Sequence, residues 1–205
     1  MTAAKRTIRR AVEHEIAKRK GSRFITAVCP LDGPGEMAHE QVRAVVDSQR
    51  AKFPSACHHC FGFTTADGRE LCSDDGEPHG TAGRPILSVL QRAELVDVAV
   101  VVSRIFGGTK LGTGGLIRAY GAAAQEALEV AEVVDMVPTA QLRVVAAMAH
   151  IDAVKHGVAK FEAQVVAQEF AMDAVFTLRV PTHQVEAFAS YLGAKSAGKI
   201  SVEEV

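Results

Sequence analysis

The chain of 205 residues has no tryptophan and only two tyrosines. Aromatic platforms for stacking nucleobases are therefore scarce. No apolar run reaches the roughly 18 residues that a membrane helix needs, so no membrane partner is expected. The first 25 residues are charged throughout and lack the apolar centre of a secretory signal. A cytoplasmic location is the expectation. Cysteine is sparse: Cys29, Cys57, Cys60 and Cys72 are expected to be thiols in that compartment. Overall basicity is missing too. The 23 Lys and Arg against 24 Asp and Glu leave a net charge of −1, which excludes a generally basic nucleic-acid binder. The charge is uneven, however. Residues 1–23 hold eight basic side chains against Glu13 and Glu15, whereas residues 24–137 hold nine basic and fifteen acidic ones. Any affinity for phosphate must come from a local patch.

What is present is a composition 48% hydrophobic and 23% charged, enough to bury a core and far from a disordered one. The length suits one large domain or two small ones. The organising stretch runs from Ser73 to Tyr120. It reads S-D-D-G-E-P-H-G-T-A-G-R-P, a helical run, a buried strand, then R-I-F-G-G-T-K-L-G-T-G-G-L-I-R-A-Y. Two glycine-rich turns flank one strand, each leads into a helix, and the pair is expected to share a surface.

Along the chain, residues 7–19 fit either a helix, with Ile8, Val12 and Ile16 four apart, or a polar edge strand. Residues 22–31 read as a strand closed by Pro30, 32–35 as a turn, 36–52 as an amphipathic helix, and 56–65 as a strand followed by a hairpin turn at 66–69. Pro85 opens a helix to about Ala93. Residues 97–106 are nearly all apolar or β-branched, as in a strand covered on both faces. Leu116 to about Glu132 is an alanine-rich helix. Asp135–Pro138 marks a boundary, giving domains 1–136 and 137–205. The second domain reads strand, helix, strand, strand, helix, strand, the ferredoxin-like order.

The second turn ends on a helix N-terminus, where free N–H groups favour an anion. Arg84, Arg104, Lys110 and Arg118 are the candidate phosphate contacts. Gly107, Gly108, Gly112, Gly114 and Gly115 either allow close approach of a ligand or merely let helix pack on strand. It is not a Walker A loop, for no Gly-Lys-Ser/Thr triplet has the required spacing. The first turn contains Asp74, Asp75, Glu77 and His79; either Asp74 or Asp75 caps the following helix, or the hard oxygen ligands hold a magnesium ion, and capping is the favoured reading. Cys57 and Cys60 would point to opposite faces of a strand, which disfavours a shared zinc. His58 and Cys60 would share a face. No metal, cofactor or catalytic residue is assigned. The basic N-terminal segment is either a solvated arm or a polyanion contact. His150, His156 and His183 read as surface residues.

S-D-D-G-E-P-H-G-T-A-G-R-P-I-L, followed by V-V-S-R-I-F-G-G-T-K-L-G-T-G-G-L-I-R-A-Y, resembles the signature of the YigZ/IMPACT family. K-G-S-R-F (20–24) and A-C-H-H-C (56–60) resemble its earlier motifs, and Ile105 stands where an aromatic residue is usual. The resemblance implies an α+β chain. Its N-terminal domain would be similar to the second domain of ribosomal protein S-five, a four-stranded sheet backed by helices, followed by a ferredoxin-like C-terminal domain. It also implies a translational setting, since eukaryotic members regulate initiation in amino-acid starvation through protein contacts. Those members carry an additional N-terminal interaction domain, for which this chain has no room.

The leading expectation is a non-catalytic, translation-associated protein binding RNA or the ribosome, or a translation-related protein. Its surface would comprise the cations and glycines above, with His58, Cys60, Ser73, Asp74, Asp75, Glu77, Thr81 and Tyr120 in support. Two other classes stay open. One is an enzyme acting on a phosphorylated small molecule or nucleotide, although the P-x-x-x-G-L-x-S-S loop of kinases with this fold pairing has no match. The other is a protein-interaction module docking through the ferredoxin-like half.

Overall fold

The computed structural model describes residues 5–32 and 35–205. The chain divides into two compact units, 1–136 and 137–205. In the first unit the strands are β1 (Arg6–Ile8), β2 (Val12–Glu15), β3 (Arg23–Pro30), β4 (His58–Thr64), β5 (Glu70–Ser73), β6 (Val98–Ile105) and β7 (Val133–Asp135). The helices are α1 (Ala38–Lys52), α2 (Gly83–Ala93) and α3 (Thr113–Glu129).

A five-stranded antiparallel sheet in the order β2-β3-β6-β4-β5 forms the frame. β6 lies in its middle, and its side chains alternate between two cores, as the period of two requires. Val98, Val100 and Val102 pack with Ile86, Val89 and Leu90 of α2 and with Leu116, Ala119, Tyr120 and Ala123 of α3. Ala99 and Val101 pack with Ala38, Val42 and Val46 of α1 on the opposite face. The continuous apolar run of β6 thus follows from helices on both sides. In α3 the buried positions Leu116, Ala119, Tyr120, Ala123, Ala124 and Ala127 trace one helical stripe.

β5 and β6 both run antiparallel to β4, which lies between them. They are therefore parallel to each other and end at the same edge of the sheet. The turn after β5 leads to α2 and the turn after β6 leads to α3, so both glycine-rich turns emerge at that edge.

Of the two alternatives for residues 7–19, the structure takes the strand: β1 pairs with β7, and β2 adds to the edge of β3. The alternation V-E-H-E satisfies a sheet edge, and no helical face is left to bury. That edge strand raises the sheet to five strands, where the resemblance implied four. β7, lying between the expected helix end near Glu132 and the boundary that begins at Asp135, closes the unit by pairing with β1. From residue 5 on, the basic segment is accordingly folded: Arg9 pairs with Glu132, and Arg23 with Glu15, at 2.9 and 2.7 Å. The expected turn at 32–35 lies partly outside the described residues.

The second unit comprises β8 (Thr139–Ala147), α4 (Ile151–Lys160), β9 (Gln164–Phe170), β10 (Asp173–Pro181), α5 (Val185–Ser196) and β11 (Ser201–Glu204). Its antiparallel sheet has the order β11-β8-β10-β9, the ferredoxin-like topology. Leu142, Val144, Phe176 and Leu178 from one sheet face pack with Val154, Phe188 and Leu192 of the helices. No described helix is long and apolar enough to cross a membrane.

Candidate functional site

The first turn is built around Asp74. Its Oδ1 accepts hydrogen bonds from the amides of Ala82 and Gly83 at 3.0 and 2.8 Å, and its Oδ2 accepts one from Gly80 at 2.7 Å. These are the orphan donors at the start of α2, whose own N-cap, Ala82, has no side chain to offer. Asp74 therefore caps the helix from across the loop. Asp75 does not share that role. The amide of Glu77 donates to the Asp74 carbonyl, closing a turn with positive φ at both Asp75 (41°) and Gly76 (86°), the pattern of a mirror-image type I turn. This turn aims Asp75 back at the sheet and α1. Its carboxylate accepts from the His59 amide at 2.6 Å and from Arg50 at 3.0 Å, and Ser73 Oγ accepts from its amide. His58 Nδ1 donates to the Asp75 carbonyl at 2.8 Å, and the Cys60 thiol donates to that of Asp74 at 3.0 Å. His58 and Cys60 do share a face, and they hold the turn against β4. Thr81 Oγ1 donates to the carbonyl of Pro78.

The capping predicts a pH dependence. Burial pushes the Asp74 carboxyl up, but the three amide bonds outweigh it and leave the group below its ordinary value. The unfolded chain then takes up the proton first, so this stabilisation is complete above about pH 4 and lost as pH falls through the folded value. Asp74→Asn is expected to lower the unfolding free energy by about 2 kcal/mol at neutral pH. The difference from the parent chain should shrink in urea titrations at about pH 3.

Glu77 turns inward, to a place the sequence reading did not foresee. Its side chain is 3% exposed and that of Arg104 is 8% exposed, and Arg104 Nη1 donates to Glu77 Oε1 at 2.6 Å. Tyr120 from α3 donates its hydroxyl to the same oxygen at 2.7 Å. The guanidinium lies between the rings of Phe24 and Phe106, 5.8 and 5.6 Å from their centroids, and Nε has no partner. Arg104 is thus corrected from an outward phosphate contact to half of an internal ion pair. The reason is its register on β6, which puts it on the α2/α3 face with Val102. Burial also pushes the Tyr120 hydroxyl up, with Cys60 and Glu77 beside it, so it remains a donor. Burial pushes the Cys60 thiol up to about 12, which leaves it a poor nucleophile at neutral pH.

The second turn is the outward one. Gly107 rests on Gly21, donating its amide to Ser22 Oγ at 3.2 Å. Gly108, Thr109, Lys110, Gly112, Thr113 and Gly114 are exposed, and Gly115 lies half-buried over Leu111. α3 begins after Gly112 with no side-chain cap and no acid in its first turn. The Arg118 guanidinium reaches back over it: a Cβ on Gly114 would sit 3.8 Å from Arg118 Nη1. Arg84, Lys110 and Arg118 are exposed, and no ion pair engages any of them among the described residues.

Comparison with known proteins fits these motifs. Residues 20–128 match the Impact N-terminal domain, and residues 149–199 match a domain of unknown function, DUF1949. A protein of Haemophilus influenzae described as an IMPACT family member is 35% identical over 93% of this chain and 91% of its own length. The chain belongs to the IMPACT family. The Escherichia coli IMPACT family member YigZ is 30% identical over 89% of each chain. YvyE, the Bacillus subtilis member, is 31% identical over 97% of this chain and 89% of its own. A solved structure described only as that of a hypothetical protein superposes with a TM-score of 0.72 at 27% identity, covering 100% of this chain and 98% of that one.

In this IMPACT-family chain the two turns divide the work. The first is a network whose acids all have partners within the unit: amides for Asp74, the Arg50 side chain for Asp75, and the buried Arg104 and Tyr120 for Glu77. The second leaves its cations exposed and the start of α3 without a side-chain cap. Sequence reasoning named the residues of both turns but missed Arg50, Phe24 and Ser22. Arg50 carries a signal, lying one position after the buried Gln49 of the α1 stripe. Ser22 lies in the K-G-S-R-F motif.

Proposed function

We propose that this chain binds phosphate groups of RNA, free or in the ribosome, at the start of α3, in the translational setting that the family resemblance implies. The observation that carries the reading is the uncapped first turn of α3 beneath the Arg118 guanidinium. A helix N-terminus with free amides favours negative charge. Lys110 and Arg84 add cationic charge on the same unit. Two of the three acids of the neighbouring turn are offset by cations, Asp75 by Arg50 and Glu77 by Arg104.

The test is fluorescence anisotropy with a single-stranded RNA oligomer across a salt series. The parent chain should lose affinity steeply as salt rises. Lys110→Glu with Arg118→Glu should weaken binding on the order of tenfold or more and flatten the salt slope by about two, with the far-ultraviolet spectrum unchanged. Unaltered affinity in that double variant would remove the reading.

A further inference from the structure

β9 is an edge of the second unit's sheet, and all seven of its residues are exposed. An edge strand presents a row of unpaired backbone donors and acceptors, and proteins usually blunt such edges with charge, proline or short length. The other edges here are blunted. β11 is four residues with two glutamates, β5 is four residues long, and β2 engages Glu13 and Glu15 in ion pairs. β9 has the sequence Q-V-V-A-Q-E-F, with one charge, no lysine and no proline. Its Val165, Val166 and Phe170 are 47%, 49% and 53% exposed, and Met172 just beyond is 95% exposed.

The strand is also complementary to itself. Its pairing with β10 shifts between Thr177 and Leu178, so that Val166 is the extra residue and Ala167–Phe170 is the regular stretch. We propose that a second copy of this chain docks here, its β9 antiparallel to the first and the two-fold axis at Gln168. In that register Gln168 faces its own counterpart, and each amide can donate to the other. Ala167 faces Glu169 of the second copy, twice, so the two carboxylates never oppose one another. Val166 faces Phe170 of the second copy at both ends, apolar on apolar. An axis at Ala167 instead would set Phe170 against Gln164, Glu169 against Val165 and Gln168 against Val166, polar on apolar at six places. Side-chain pairing across strands thus favours the axis at Gln168 over that at Ala167, an axis at Val166 would centre on the extra residue that interrupts the pairing, and the contact is isologous and closed.

The experiment is sedimentation equilibrium of the full chain from low to high micromolar concentration. A reversible dimer is expected. Ala167→Glu puts like charges opposite each other twice and should raise the dimer dissociation constant on the order of tenfold. Ala167→Lys puts opposite charges there and should leave it unchanged or lower it. Position 167 is exposed, so the thermal midpoint of dilute samples should not move. A parent chain that stays monomeric throughout overturns the proposal, as does a dimer indifferent to the sign of charge at position 167. A monomer that takes up an extended peptide of another protein at this edge overturns it as well.

Discussion

Gly107→Ala is expected to destabilise the first unit by about 3 kcal/mol or more, measured by urea unfolding followed through far-ultraviolet circular dichroism. The cause is space. A Cβ on Gly107 would lie 1.9 Å from the carbonyl carbon of Gly21 and 2.2 Å from the nitrogen of Ser22. Both obstacles are backbone, and no rotamer change relieves them. The opposing residue is equally constrained: Gly21 has φ +83°, and a Cβ on it would lie 2.7 Å from the Gly107 oxygen. Two chain segments meet glycine to glycine, and one methyl group must wedge them apart. The displacement would pull at the Arg23–Ile105 end of the β3–β6 pairing and at the Ser22 hydrogen bond to the Gly107 amide. Gly121→Ala is the matched control. It lies inside α3 with nothing within 4 Å of its added Cβ, so it should be neutral or stabilise by about 0.5–1 kcal/mol. Equal unfolding midpoints for Gly107→Ala and the parent chain would contradict the close approach.

That contact joins K-G-S-R-F to F-G-G in this chain, though nothing in either string names the other. Much else was legible. The run V-A-V-V-V of β6 had to be covered on both sides, and the strand–helix order of residues 139–204 has one compact solution. The cap provided by Asp74 could be anticipated from residue type, while which of two adjacent aspartates supplies it depends on a turn with positive φ at Asp75. β1 and β7 are three residues each and meet from opposite ends of the unit, so no local pattern reports them. Arg104 is the instructive case. A strand covered on both faces has no outward side, and Arg104 shares parity with Val98, Val100 and Val102. It had to be buried, and a buried guanidinium needs a carboxylate. The premise was already in the sequence; the choice of Glu77 as partner required the fold.

Glu77→Gln should cost about 3–5 kcal/mol, and Arg104→Met a similar amount, because each leaves the other charge enclosed without its counter-ion. The double variant, Glu77→Gln with Arg104→Met, should cost far less than the sum of the two. Methionine fills the space between Phe24 and Phe106, and glutamine still accepts from the Tyr120 hydroxyl. The native pair is itself incompletely satisfied, for Arg104 Nε has no partner, so its desolvation is not wholly offset and an uncharged replacement gives up little. A thermodynamic cycle read from urea midpoints should thus show strong coupling. A second readout follows the turn itself. Glu77 ties the first turn to β6 and α3, while Cys60 is fully buried beneath it. In Glu77→Gln alone, Cys60 should become accessible to a thiol reagent under native conditions, and in the double variant it should be protected again. Additive single costs, with Cys60 equally protected in all four proteins, would mean that the ion pair does not hold the first turn in place.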